Sequence, residues 1–326
     1  MAEFYSTYVV NCVINALSSC TAIMLNILAI HAMRKTLSLP KPLKALLLSL
    51  AVSDLAVGLV AQPFNIGIMV MLLKNTLPPS STGKLYSFFT HIFSWTSFFN
   101  VVAISVDRLL AIQLHLRYQA LVTHKRVVAV VISIWVFSII LSSILTFRFI
   151  PINEITLVVL AVTMGLCVIC TAIIYCKIYI TVRRHSKEIN GLQVPQQEER
   201  NGERVNAARQ RKSAVGTFYI YLVFLICYLP EYCRLLLTIL LLHNANTIPM
   251  VRFYYFSWTL LFLNSSLNPL VYCWKMRNIR RAVMNIMRSM FSKSQGNNAT
   301  LNSDEGRTNS VPLAVYSRCD SYTVDM

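Results

Sequence analysis

Residues 127–147 read VVAVVISIWVFSIILSSILTF, 21 residues without a charge, bracketed by Lys125 and Arg126 before and Arg148 after. An α-helix needs about 20 apolar residues to cross the hydrocarbon core of a bilayer. Six further apolar runs span roughly 8–33, 43–73, 85–114, 153–182, 213–242 and 250–274. Each must be helical, because backbone groups in lipid need hydrogen-bond partners within their own segment. The chain of 326 residues is 56% hydrophobic and 13% charged, too apolar for a soluble domain. The expected fold is all-α, a bundle of seven membrane-spanning helices.

Outside the runs the charge is one-sided. The formal net charge is +17. All of the 30 Lys and Arg except Lys74, Lys84, Arg148, Arg234 and Arg252 fall in segments that would face one side of the membrane. That asymmetry places them in the cytoplasm and the N-terminus outside. The basic face suits anionic membrane lipids, and its placement argues against a nucleic-acid partner. Of the nine Cys, all but Cys319 sit in apolar stretches, and the outer connections hold none, so no disulfide framework is expected. No cleavable signal peptide is evident. Neither Asn264-Ser265-Ser266, within a span, nor Asn298-Ala299-Thr300, in the tail, is an outward glycosylation site.

The third inner connection, about 183–212, is polar and mixed in charge, a flexible loop with helical extensions at both ends. The outer connections are short. After Tyr272 the apolar residues Ile279, Val283, Ile286, Met287 and Met290 recur at helical spacing among Arg280, Arg281 and Arg288, which predicts an amphipathic helix over 275–291 on the inner leaflet. One helical domain therefore covers residues 1–291, and residues 292–326 form a polar, disordered tail.

Charge inside a span is costly and marks a functional site by default. Asp54 is mid-span in the second run. Ser97 in the third and Asn264, Ser265 and Asn268 in the seventh add neutral oxygens. That set suits a sodium ion or a hydrogen-bonded polar core without one. Asp107-Arg108 closes the third run, where the arginine can stay paired or swing to another partner, or simply snorkel. Pro63, Pro230 and Pro269 break backbone hydrogen bonds within spans. Cys227-Tyr228-Leu229-Pro230 and Asn268-Pro269-Leu270-Val271-Tyr272 put polar and aromatic residues beside two of these hinges.

Taken together, over about residues 8–291, the chain resembles the rhodopsin-like (class A) G-protein-coupled receptors. Asn26, Leu50-Ala51 to Asp54, Asp107-Arg108, Trp135, Tyr175, Phe224 with Cys227 to Pro230, and Asn268 to Tyr272 occur in order, one or more per helix. Leu116-Arg117-Tyr118 also fits. The resemblance implies that Arg108 is the arginine facing the G protein, and that Tyr175 and Tyr272 swing toward it in the active state. It implies an allosteric sodium pocket at Asp54, Ser97, Asn264, Ser265 and Asn268, and a toggle of Phe224 and Tyr228 on the sixth helix. Where the family carries its outer disulfide, Gly83 replaces the Cys. Cys167 replaces the fifth-helix proline, Tyr228 the toggle Trp, and Leu109 the usual Tyr. Gln210 stands where some members carry an acidic lock for Arg108, so raised basal activity is expected. The missing disulfide, missing proline and short second outer loop lean toward the melanocortin, cannabinoid and lysolipid receptors, and residues 116–123 toward the adenosine receptors.

The resemblance excludes several ligand chemistries. Thr90 stands where amine receptors place Asp, Phe262 where opsins place the retinal lysine, and Leu235 where adenosine receptors place Asn. Phe64, Gly83 and Ser87 replace the melanocortin receptors' acidic cluster. No retinal or other cofactor is expected. What remains is Glu231. Phe224, Tyr228, Glu231 and Leu235 share one helical face, opposite Thr90, Ser94 and, beside them, His91, with Trp258 and Phe262 facing them from the seventh helix. Glu231 either meets a cationic ligand, helped by Trp258 or Tyr232, or is neutralised by Arg234 or His91.

The implied partners are an unidentified extracellular ligand, a heterotrimeric G protein near Arg108, Tyr175, Arg183, Arg211 and Lys212, and receptor kinases and arrestin acting on the tail's many Ser and Thr. The terminal Val324-Asp325-Met326 suits strand addition to a PDZ domain. A transporter or channel is the rival class, but it needs a continuous polar path, and here polar groups concentrate around Asp54. No enzyme motif falls in a span.

Overall fold

The computed structural model describes residues 2–36, 39–114, 117–147, 154–191, 199–240, 248–277 and 279–288, with the side chains of 2–3, 154, 182–183, 185–191 and 199–215 outside that description. Among the described residues there are seven long helical segments: Ala2–Lys35, Lys41–Leu73, Ser80–Gln113, His124–Phe147, Glu154–Gly191, Glu199–Leu240 and Ile248–Lys275. A single helical turn, Tyr118–Leu121, lies between the third and fourth.

Most helices outrun the apolar stretches that announced them, because a helix continues past the hydrocarbon boundary wherever no proline or glycine stops it. The fifth and sixth extend to Gly191 and back to Glu199, so the expected helical extensions are present on both sides of the third inner connection; residues 192–198 lie outside the description. Pro40 precedes the second helix and Pro79 the third, where the ring's fixed φ starts a helix without losing a bond. The first six helices are long and apolar enough to cross a membrane. The seventh has the length but not the hydropathy, because Asn264, Ser265, Ser266 and Asn268 are all turned inward.

Within the unit Met1–Val283 the third helix is central, packing on the second, fourth, fifth and sixth, while the seventh packs on the first, second and sixth. The second and third helices are more than half buried, and the fourth and fifth mostly exposed. Their exposed Ile132, Val136, Ile140, Val162, Leu166 and Ile169 would form an aggregating patch in water and form a lipid-facing surface in a membrane. Residues 279–288 are helical, with Ile279 and Val283 buried and Arg280 and Arg281 exposed; Met287, expected on the apolar stripe, is exposed. Residues 289–291 and the tail lie outside the description.

The second helix has a π-turn at Val57–Ala61, just before Pro63. There the backbone ladder loosens, and the Gly58 carbonyl accepts a hydrogen bond from Ser19 Oγ of the first helix at 2.8 Å. A Cβ on Gly58 would lie 3.1 Å from Ile23 Cγ1, 3.2 Å from Ala22 Cβ and 3.2 Å from the Ser19 carbonyl oxygen. Small residues let helix backbones approach this closely in membranes. Gly58→Leu should therefore separate the first and second helices and destabilise the protein by about 1–3 kcal/mol, read as a lower melting temperature of the purified protein in detergent.

Candidate functional site

Three groups of polar side chains are stacked through the bundle. The middle one surrounds Asp54, which is fully buried. Asn268 Nδ2 donates to Asp54 Oδ2 at 2.8 Å. Ser265 and Ser97 face the same carboxylate, Ser97 without reaching hydrogen-bond geometry. Asp54 Oδ1, Ser97 Oγ and Asn264 Oδ1 are buried oxygens with no protein partner. Asn100, one turn below Ser97, is buried with both side-chain polar atoms unpartnered, and the buried Tyr272 hydroxyl is unpartnered too. Asn26 Nδ2 reaches the Ser265 carbonyl at 2.9 Å, tying the first helix to the seventh. Buried polar atoms are normally satisfied, so this set is chemically incomplete without water or a cation. One carboxylate oxygen beside neutral hydroxyl and amide oxygens is a hard donor set that fits sodium. Among the described residues no cluster of three His, Cys, Asp or Glu forms a transition-metal site.

The lower group lies at the end of the third helix. Arg108, 2% exposed, binds the adjacent Asp107 through Nε at 3.0 Å and through a terminal nitrogen. Tyr118 donates from its hydroxyl to the other Asp107 oxygen at 2.7 Å. Burial, followed by the Asp107 carboxylate, pushes the Tyr118 phenol well above its ordinary value, so it remains a donor. Tyr175 ties three helices: it accepts from Ser105 at 3.2 Å and donates to the Thr217 carbonyl at 3.0 Å. Its ring stacks on Tyr221 at 4.9 Å. Ser105 and Thr217 escaped sequence reading, and Tyr118 was matched only as part of Leu116-Arg117-Tyr118 without its bond to Asp107, because a hydroxyl near a helix end has no spacing signature. Arg183, Gln210, Arg211, Lys212 and Leu116 lie outside the described side chains.

The upper group lines a cavity of about 200 Å³ among the third to seventh helices. Of the expected ligand residues, His91, Ser94, Glu231 and Trp258 line it, together with Tyr228 and Leu235. Thr90 and Phe262 do not; both are buried in packing, with Phe262 against Trp258 at 5.9 Å. Trp258 lies 6.0 Å from the His91 ring. The Glu231 alternatives resolve toward Arg234, whose Nε and a terminal nitrogen donate to the two carboxylate oxygens at 2.8 and 2.6 Å. Ser257 adds a third donor at 2.7 Å. Tyr232 is turned away, its hydroxyl 2.6 Å from where a Cβ on Gly165 would be. Gly165 thus leaves room for the Tyr232 hydroxyl on the fifth helix, two residues before Cys167, which stands in place of the proline.

An aromatic block connects the upper and middle groups. Phe224 and Tyr228 stack at 4.1 Å, and Phe98 meets them at 5.5 and 6.0 Å. Phe98, fully buried, is a site residue that the polar stripe on its helix concealed. The Tyr228 hydroxyl donates to the Ser94 carbonyl at 3.0 Å, two residues before Pro230 interrupts the sixth-helix ladder. Pro269 does the same in the seventh helix next to Asn268.

A family model described as 7 transmembrane receptor (rhodopsin family) matches residues 25–272. The chain belongs to that family and is a G-protein-coupled receptor. It is 26% identical to melanocortin receptor 4 of Danio rerio over 80% of this chain and 78% of that one. It is 25% identical to adenosine receptor A2a of Homo sapiens over 84% and 71%. A shorter match to adenosine receptor A2b of Gallus gallus is 33% identical over 42% and 38%. The lean toward the melanocortin and adenosine group agrees with these relatives, and nothing favours the transporter alternative. The chain is a multi-pass membrane protein.

Tyr228→Phe removes the one hydrogen bond from the aromatic block to the third helix while keeping the ring. Loss of a single neutral hydrogen bond should lower stability by about 0.5–1.5 kcal/mol, measured as a reduced melting temperature without loss of expression.

Proposed function

We propose that a ligand entering the upper cavity repacks Tyr228 and Phe224, that the sixth helix swings outward about Pro230, and that the inner end of the bundle then admits a G protein. The observation that carries this reading is the closed arrangement at Arg108. Its guanidinium is held by Asp107, which is itself held by Tyr118, and Tyr175 binds the sixth helix through the Thr217 carbonyl. Outward movement of the sixth helix breaks the Tyr175 bond. It frees that hydroxyl, along with the Tyr272 hydroxyl, to meet Arg108, a change between two discrete packings. Positive charge in the inner connections supports a cytoplasmic C-terminus and an extracellular N-terminus. The tail's hydroxyl residues are then in reach of receptor kinases and arrestin. The pocket chemistry requires no catalytic role.

Asp54, Ser97, Asn264, Ser265 and Asn268 would hold the sodium ion. The ion supplies positive charge to a carboxylate that otherwise has a neutral amide as its donor. Binding of the ion by one packing and not the other shifts the equilibrium by its differential affinity.

Asp107→Asn takes the charge from the partner of Arg108 and weakens a charge-assisted hydrogen bond by about 1.5–3 kcal/mol. Ligand-free nucleotide exchange on a co-expressed G protein should rise roughly tenfold or more over wild type, since each 1.4 kcal/mol is tenfold in a population. Arg108→Ala should abolish it. Equal exchange by Asp107→Asn, Arg108→Ala and mock membranes would overturn the switch.

The sodium site has its own test. Replacing sodium with N-methylglucamine should raise basal exchange in wild type and leave Asp54→Asn unaffected. An identical response in both would remove the ion from this pocket.

A further inference from the structure

The upper cavity is unbalanced in its hydrogen bonding. Its carboxylate already holds three donors: Glu231 receives two from Arg234 and one from Ser257. The donors around it are less well met. The second terminal nitrogen of Arg234 reaches Thr238 Oγ1 at a long 3.4 Å, its one hydrogen-bond partner among the described residues, and the guanidinium lies over the Tyr254 ring at 5.4 Å. The Trp258 Nε1–H, which can only donate, is buried without an acceptor. His91 Nδ1 and Ser94 Oγ also have no protein partner, and each can act in either sense. All four residues line the same cavity. A complementary ligand must therefore bring acceptors.

Charge narrows the choice. Glu231 and Arg234 form a neutral pair. A ligand ammonium would compete with Arg234 and Ser257 for a carboxylate that already holds three donors and a full counter-charge, and would leave the Trp258 donor unmet. A ligand carboxylate would satisfy the donors, but would bring an uncompensated charge into an apolar cavity beside Glu231, which is costly. A carbonyl satisfies the same donors without that charge. The rest of the lining is apolar: Trp95, Leu145, Leu157, Leu160, Met164 and Leu235. Its far end lies between the fourth and fifth helices, which pack on the third but hardly touch each other over their described residues.

We propose that the cavity takes an uncharged lipophilic ligand bearing a carbonyl or comparable hydrogen-bond acceptor, held by Arg234 and Trp258. This rests on the reading of the cavity as the receptor's ligand site. Of the two alternatives the sequence left for Glu231, it takes the one in which the acid is neutralised within the protein and not by a cationic ligand.

The test uses the full-length protein in lipid nanodiscs and three probes with one common chain: N-methyloctanamide, octanoate and octylammonium, each corrected for partition into the lipid. The melting temperature is followed against probe concentration, because a ligand of the native state raises it. The amide should act at an about tenfold lower concentration than either ion, the scale of one hydrogen bond to a charged group. Trp258→Phe and Arg234→Lys, the second keeping Glu231 paired, should each raise the amide midpoint roughly fivefold or more. An ammonium or carboxylate probe acting at an equal or lower concentration than the amide would overturn the proposal. So would unchanged midpoints in both variants, or no response to any probe. Ligand-free and amide-stimulated nucleotide exchange measured in the same discs separates the two readings. Amide binding without exchange sinks the receptor mechanism, and exchange with an inert amide sinks only the ligand class.

Discussion

Lipid offers no hydrogen bonds, so a polar side chain carried into the bundle must find its partner in a carbonyl of its own helix, in another helix, in water or in an ion. That constraint explains why the polar contacts are so often between helices. Asp54 is met by Asn268, Ser94 by Tyr228, Thr217 by Tyr175, Ser265 by Asn26, and Asn15 of the first helix by Thr259 of the seventh at 2.9 Å. Interhelical hydrogen bonds in membranes average only about 0.6 kcal/mol. None of them holds the bundle together. Their effect is on register, because a one-residue rotation of any helix would leave several groups unmet in hydrocarbon. The cohesion comes from close packing, such as the approach of Gly58 to Ala22 and Ile23.

The same constraint makes the unmet groups informative. Oxygens around Asp54 and donors around Glu231 are buried without protein partners, on opposite sides of the aromatic block. Tyr228 touches both regions: its ring lines the cavity, and its hydroxyl holds the third helix. Phe224 lies under it, one turn nearer the inner end. A change in the cavity therefore reaches the polar core through rings in contact, and the proline hinge directly above lets the helix respond. Breaking the Glu231–Arg234 pair by removing one partner would leave a buried charge uncompensated, a loss of about 3–5 kcal/mol. That scale suits a cavity that keeps the pair intact when a ligand binds.

Much of the fold was legible in the sequence. The spans could be read from apolar length, and Asp54, Arg108, Pro230 and Pro269 from being out of place in lipid. The seventh helix was the hardest case, since its inward Asn and Ser depress its hydropathy, yet those same residues identified it. Phe98 stayed hidden because a buried aromatic in an aromatic-rich helix looks like ordinary core. Thr217 stayed hidden because its role depends on Tyr175, distant in the chain, and Tyr118 was matched without the bond to Asp107 that gives it one. Thr90 and Phe262 were assigned to the pocket from the faces of their helices, which say which side a residue is on but not whether a neighbour fills the space before it.

The sequence by itself determined that the chain crosses the membrane in helices, which of its charges are intramembrane, and which side is basic, because all three follow from the cost of moving single groups into lipid. Only the tertiary structure decided what those groups do to each other. It paired Glu231 with Arg234 at three residues' spacing and added Ser257 from the seventh helix as a third donor, leaving Arg234 and Trp258 as donors lining the cavity. The i,i+3 spacing offered Arg234 as one partner of Glu231, but the third donor and the choice between the alternatives depend on the approach of Ser257 from the seventh helix, which no local pattern encodes.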